Sequence, residues 1–292
     1  MSDGTTTPGS TATATAPVLG IAGERRDGVR VGVIGFGAIG RPLVEAVARG
    51  EAGDARVVAV LVRDPTRYAA MSGDALLTAD QASFLAQASD LVVEAGGHDA
   101  VRQHGEAVLA SGRDLMVVSV GAFADEELLA RLQAAARAAG RQILVPSGAI
   151  AGLDAIGAAA VGELDEVTIT SRKPPEAWRG TPAEAEALGA TEPRLLYEGS
   201  ARAGVRLFPQ NVNVAAAVSL AGIGLERTTM RVYADPHITH NTHEVRARGA
   251  FGELQLVLRN VPSPDNPKTG RITAMSVLKA LRNRGAPLVV GL

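Results

Sequence analysis

Residues 31–40 read VGVIGFGAIG, which sets Gly35, Gly37 and Gly40 in the spacing G-x-G-x-x-G. Val31, Val33 and Ile34 form a short apolar run before them, and Leu43, Val44 and Val47 recur at helical spacing after them. A strand, a tight turn and a helix in that order leave the chain few ways to continue. The first glycine permits the turn, the second lets another group approach the backbone, and the third lets helix pack on strand. The helix then opens with free N–H groups and the positive end of its dipole, which suits an anion such as a pyrophosphate. A turn without a ligand does not need three glycines in this register. The segment Gly35, Phe36, Gly37, Ala38, Ile39 and Gly40 is therefore expected to bind a dinucleotide.

A regular alternation follows. Apolar runs at 56–63, 90–94, 115–120 and 142–145 read as buried strands, and 79–87, 99–110 and 125–139 read as helices, the last ending at Gly140. Continuous apolar strands separated by helices predict a doubly wound parallel sheet with right-handed crossovers. Ligands of such a sheet sit beyond the carboxyl ends of its strands, here the loops 35–40, 63–64, 95–98, 120–124 and 146–152. Past residue 160 the rhythm changes. A strand at 167–171, a short helix at 181–188 and a small-residue helix at 211–221 precede strands at 229–234, 242–247 and 254–259. These last three alternate as antiparallel strands with a hairpin turn at 249–252, and a helix at 271–282 ends the pattern. The fold class expected is α/β: an N-terminal Rossmann domain and a second α+β domain of mixed or antiparallel sheet.

A chain of 292 residues, 46% hydrophobic, can bury a large core and divide in two. The expected division is a disordered tail at 1–28, a dinucleotide-binding domain at 29–150, and a substrate-binding and dimerisation domain at 151–270. A C-terminal helix and tail at 271–292 is expected to pack back on the first domain. Net charge is −2, so nothing calls for nucleic acid or an anionic membrane. The absence of cysteine removes disulfides, thiolate nucleophiles and Cys-based metal sites. No run approaches the ~18 apolar residues of a membrane helix. The first 23 residues, rich in Thr, Ala, Gly, Ser and Pro, lack the basic start and apolar block of a signal peptide. A cytoplasmic homodimer is the expectation.

The second strand ends at Arg63, followed by Asp64, with Arg67 nearby. A guanidinium there pairs with a 2′-phosphate or stacks on adenine, whereas Asp64 would accept from ribose hydroxyls; NAD and NADP both stay open. Three of the five histidines cluster as His237, His240 and His243. Ligands three apart share one side of a helix, but Pro236 and the alternation after it argue for loop then strand, so no metal is expected. One of the three as an acid/base, or all three as surface residues, remain open on spacing alone. A neutral imidazole with a pKa near ~6.5 exchanges protons at physiological pH and suits amine–carbonyl chemistry.

Several separated segments, in order, resemble the L-aspartate dehydrogenase family. They are VGVIGFGAIG at 31–40, VPSGAIAGLDA at 145–155, TSRKPPEAW at 170–178, LFPQNVNVAAAVSLAGIG at 207–224, ADPHITHNTHEV at 234–245 and NVPSPDNPKTGR at 260–271. The resemblance implies oxidation of L-aspartate with NAD or NADP to iminosuccinate, which hydrolyses to oxaloacetate and ammonia; in some organisms the imine feeds NAD biosynthesis. It implies His243 as the catalytic residue and Ala149 and Asn213 as nicotinamide-side contacts. Asn211 is an alternative to Asn213, and Asn213 can also cap its helix. Two substrate carboxylates require cationic or amide donors, for which Arg172, Lys173, Lys268 and Thr269 are the candidates, with a solvated surface role as the alternative for each cation. Competing readings are a homoserine dehydrogenase-like or dihydrodipicolinate reductase-like enzyme and a non-catalytic NAD(P)H sensor. The sensor would need an output module, and no helix-turn-helix with a basic face is visible.

Overall fold

A computed structural model of the chain describes residues 1, 28–68, 74–208, 213–263 and 266–291, with the side chains of 262–269 outside that description. The expected tail thus lies almost wholly outside the described residues. Among those described, six parallel strands form the first sheet: β1 (Arg30–Ile34), β2 (Arg56–Leu61), β3 (Leu76–Thr78), β4 (Leu91–Glu94), β5 (Asp114–Val117) and β6 (Ile143–Leu144). Their order is β3-β2-β1-β4-β5-β6. The crossovers carry α1 (Gly40–Ala48), α2 (Gln81–Ala86), α3 (His98–Ala110) and α4 (Glu126–Ala139). Val31, Val33, Leu91, Val92 and Val93 are sealed from solvent, as strands covered on both faces require. Local chemistry sets the helix ends. The Asp125 carboxylate accepts from Leu128 N–H at 3.0 Å, and Gly140 closes α4 in the left-handed region at φ 62°. The strand order reverses between β1 and β4, which opens a crevice at their carboxyl ends, where the glycine turn lies.

The second domain comprises α5 (Leu153–Ala159), β7 (Leu164–Lys173), α6 (Glu184–Leu188), β8 (Arg194–Ser200), α7 (Ala201–Leu207), α8 (Asn213–Ala221), β9 (Thr229–Ala234), β10 (Asn241–Gly249) and β11 (Gly252–Asn260). The strands form a mixed sheet in the order β11-β10-β7-β9-β8. The hairpin of β10 and β11 turns between Gly249 and Gly252, as the sequence predicted. β9 does not neighbour that hairpin: β7 lies between, antiparallel to β10 and parallel to β9. The antiparallel trio expected from alternation is therefore split by β7, which precedes all three in the chain, because alternation gives a strand's exposed face and not its neighbour. α5, β3, β8 and α7 had no expectation in the sequence.

Val167, Ile169, Met230, Val232, Val245 and Ala247 present one face of this sheet to α5, α7 and α8. The small side chains of Ala215, Ala216 and Ala217 let α8 approach closely, and the same core reaches Phe123 and Leu128 of the first domain. Two short strands, β12 (Pro262–Ser263) and β13 (Asn266–Gly270), lead to α9 (Ile272–Gly285). Val277 and Leu281 of α9 join Val31, Val33, Leu43 and Val47 on the outer face of the first sheet. Arg282 donates to the Glu51 carbonyl and Arg284 pairs with Asp114, so the chain's last helix is anchored to the first domain.

Candidate active site

The glycine turn has the shape a dinucleotide requires. Gly35 holds φ 94°, and a Cβ there would lie 2.6 Å from the Gly96 Cα. A Cβ at Gly40 would come within 2.1 Å of the Gly35 carbonyl oxygen, whereas one at Gly37 would meet nothing within 4 Å. Two glycines thus serve the turn and the third leaves an open approach to the backbone. Ile39 gives α1 no side-chain cap; Arg41 N–H is taken by the Gly37 carbonyl at 3.0 Å and Pro42 carries no N–H, which leaves the amide of Gly40 at the helix start for an anion. The Phe36 ring turns inward, edge-on to Tyr68 at 5.1 Å, and reaches the turn only through its backbone. These residues fit the pyrophosphate of NAD or NADP. At the end of β2, Arg63 and Asp64 are exposed. One Asp64 oxygen accepts from Thr66 N–H at 3.1 Å and Thr66 Oγ1 at 2.6 Å, and that hydroxyl holds the carboxyl below its usual range.

Facing the turn is a cleft with about 690 Å³ of atom-free space, counting its open mouth. Ile39, Val118 and the 146–149 turn form one wall; Lys173, Asn213, Asn241 and His243 belong to the other. His243 enters from β10, where Asn241, His243, Val245 and Ala247 alternate inward. It stands opposite Ser171 of β7, and its Nδ1 lies 2.9 Å from the Ser171 Oγ. Its Nε2 has no hydrogen-bond partner among the described residues. The ring is 3% exposed. Burial, reinforced by the positive charge of Lys173, lowers its pKa to about 3. The other two histidines of the cluster go elsewhere: His237 pairs with Glu192 at 3.0 Å, which raises its pKa, and His240 contacts Thr239.

Lys173 ends β7 and is 2% exposed, with its ammonium 5.5 Å from the Trp178 ring centroid. Arg172, expected beside it, stands outside the cleft: its guanidinium stacks 4.0 Å over Tyr233 on the opposite face of the sheet. Adjacent strand residues point to opposite faces, so only one of the pair can enter. The signal for choosing was present, since Ser171 and Lys173 share the phase of the apolar Val167 and Ile169. Asn213 opens α8. Its Oδ1 accepts from Gly121 N–H at 2.9 Å and lies 3.3 Å from His98 Nε2, which leaves its amide nitrogen for a ligand. Asn211 and the side chains of Lys268 and Thr269 lie outside the described residues. The Ala149 carbonyl accepts from Asn260 Nδ2 at 2.7 Å, and Gly148 N–H donates to Ser276 Oγ at 3.0 Å, so β11 and α9 pin the turn that faces His243.

Ser171, Asn241 and Asn260 line or brace the cleft without having been singled out by sequence. Nor was Glu94, which is 1% exposed at the end of β4. Its carboxyl accepts from Gly96 N–H and Gly97 N–H at 2.8 Å, and from Ser119 N–H at 3.0 Å and Ser119 Oγ at 2.9 Å. Burial pushes its pKa up, against four donors that favour the anion. The group ties the loop after β4 to the loop after β5, beside the glycine turn.

Comparison with known proteins divides along the same line as the fold. Residues 35–146 match the family model described as "Homoserine dehydrogenase, NAD binding domain", and residues 154–284 match "Aspartate dehydrogenase, C-terminal". The chain is 44% identical over 263 residues to an L-aspartate dehydrogenase of Cupriavidus necator, covering 88% of this chain and 97% of that one. It is 42% identical over 271 residues to one of Methanocella arvoryzae, covering 90% and 99%. The crystal structure of aspartate dehydrogenase from Thermotoga maritima superposes with a TM-score of 0.71 at 26% identity, over 90% of this chain and 99% of that one. A homoserine dehydrogenase structure from Thiobacillus denitrificans shares the fold at a TM-score of 0.56 and 15% identity. With the glycine turn, the mixed second sheet and end-to-end likeness to such enzymes established, the chain belongs to the L-aspartate dehydrogenase family.

Proposed function

We propose that this protein is an NAD(P)-dependent oxidoreductase acting on the CH–NH2 group of L-aspartate. The reaction yields iminosuccinate and, after hydrolysis, oxaloacetate and ammonia, or runs in reverse as reductive amination. The observation that carries this reading is one buried imidazole, His243, facing the glycine turn across a cleft whose same wall bears a buried lysine.

When bound, the nicotinamide would accept or return the hydride at the substrate Cα. The chain's residues do the rest. Gly37 and the uncapped start of α1 hold the pyrophosphate, and the amide of Asn213 with the turn at Ala149 flanks the ring. Lys173 supplies a cation for one substrate carboxylate. Substrate must be a neutral amine to release hydride, and water must then be activated to attack the imine carbon. His243 Nε2 serves as the base in both steps. Desolvation and Lys173 keep the imidazole neutral before substrate binds; a carboxylate seated on Lys173 cancels the second cause and makes the ring more basic once substrate is present. Arg63 would receive the 2′-phosphate of NADP, and both cofactors are accepted.

The assembly proposed is a cytoplasmic homodimer, paired through the sheet face that carries exposed Arg231, Arg246 and Val257. Among the described residues no helix is long and apolar enough to cross a membrane. The test is His243→Ala, read as cofactor reduction by L-aspartate and as NADH binding. Loss of about 10²-fold or more in turnover with binding retained is expected. Turnover near that of the unaltered chain would overturn the assignment.

A further inference from the structure

We propose that Ser171 is a positioning residue that keeps the proton of neutral His243 on Nδ1, so that Nε2 faces the cleft as a bare acceptor. The inference deepens the role just assigned to His243 and rests on it. It starts from register. Ser171 and His243 are direct partners across the antiparallel pair of β7 and β10, 72 residues apart in sequence, and both point to the cleft side of the sheet. They are 2% and 3% exposed, so bulk water does not compete for the contact.

A neutral imidazole has one donor nitrogen and one acceptor, and a hydroxyl can serve either. If the hydroxyl donated to Nδ1, the ring proton would sit on Nε2 and the nitrogen in the cleft could accept nothing. If Nδ1–H donates to Oγ, Nε2 presents its lone pair, and the contact at 2.9 Å survives when Nε2 gains a proton, because Nδ1 stays a donor throughout. The second arrangement lets a proton arrive and leave with no rearrangement behind the ring. The charge of Lys173, on the same face two residues along β7, opposes protonation of the ring before substrate binds. Ser171 therefore acts through His243 and touches no reacting atom.

Two variants and one spectrum test this. In the 15N-labelled full-length protein, the long-range 1H–15N spectrum of the His243 ring is expected to show a protonated Nδ1 and a bare Nε2, and Ser171→Ala to give a tautomer mixture. Ser171→Ala is expected to lower kcat for L-aspartate about tenfold or more with KM and NADH affinity nearly unchanged, part of the ~10²–10⁴-fold that a placed acid–base group supplies. Ser171→Thr keeps an Oγ in a β-branched side chain suited to a strand and is expected to restore both kcat and the tautomer. A proton on Nε2 in the unaltered protein, an unchanged kcat in Ser171→Ala, or a Thr variant as impaired as the Ala variant would each overturn the proposal. The spectrum reads the ring whether or not aspartate is the substrate, so its failure is distinguishable from failure of the activity.

Discussion

Replacing His243 by Asn removes a buried group whose titration couples folding to pH, and the size of the coupling follows from its surroundings. In the unfolded chain a histidine titrates near ~6.5; in the fold, burial and Lys173 lower that to about 3. A group whose folded pKa lies below its unfolded value is protonated first in the unfolded chain. Falling pH therefore draws the equilibrium toward unfolding from about 6.5 down to about 3, and the native state is least penalised above about 6.5. At 1.36 kcal/mol per pKa unit, the single site costs about 2 kcal/mol of stability at pH 5 relative to pH 7.5. Urea unfolding can be followed by the fluorescence of Trp178, the chain's one tryptophan, which is fully buried. Between pH 7.5 and pH 5 the unaltered chain is expected to lose about 2 kcal/mol more than His243→Asn. Other shifted groups, such as Glu94, His98 and His104, are common to both chains and cancel in the difference. Equal losses in the two proteins, within about 0.5 kcal/mol, would refute the claim that the imidazole is held neutral by its environment.

Two further outcomes rest on the first domain. Gly40→Ala places a methyl group 2.1 Å from the Gly35 carbonyl oxygen, so the turn must open; NADH affinity is expected to fall at least tenfold and the melting temperature to drop, measured by fluorescence titration and thermal unfolding. Arg63→Ser is expected to weaken NADPH binding about tenfold or more while leaving NADH within about threefold, read as dissociation constants, because Arg63 is exposed at the strand end and one oxygen of the neighbouring Asp64 is engaged by Thr66.

The first domain was legible because its signals are local. β1, β2 and β4 announce themselves as continuous apolar runs, α4 carries its own cap residues at Asp125 and Gly140, and the glycine spacing binds turn chemistry to one place in the order. The second domain is less legible for a reason visible at β7. Its sequence marks a strand but not its neighbours, and only the folded sheet sets β9 parallel on one side and β10 antiparallel on the other. β8 leaves no local signal because it is half-exposed and without a clean alternation. At the candidate site, family likeness pointed to His243, Asn213 and Ala149, and the fold brings all three to one cleft. It left Arg172 and Lys173 equal.

What residue order alone determined is therefore whatever lies within one turn or one strand: the glycine loop, the helix caps, and the inward phase shared by Val167, Ile169, Ser171 and Lys173. What only tertiary structure decided is every contact between distant segments. Ser171 meets His243 across 72 residues, Asn213 reaches Gly121 across 92, and α9 returns to cover the sheet that began the chain. The reason is physical: a side chain's direction follows from local backbone geometry, but its dielectric surroundings and partners depend on which other segments the core brings beside it.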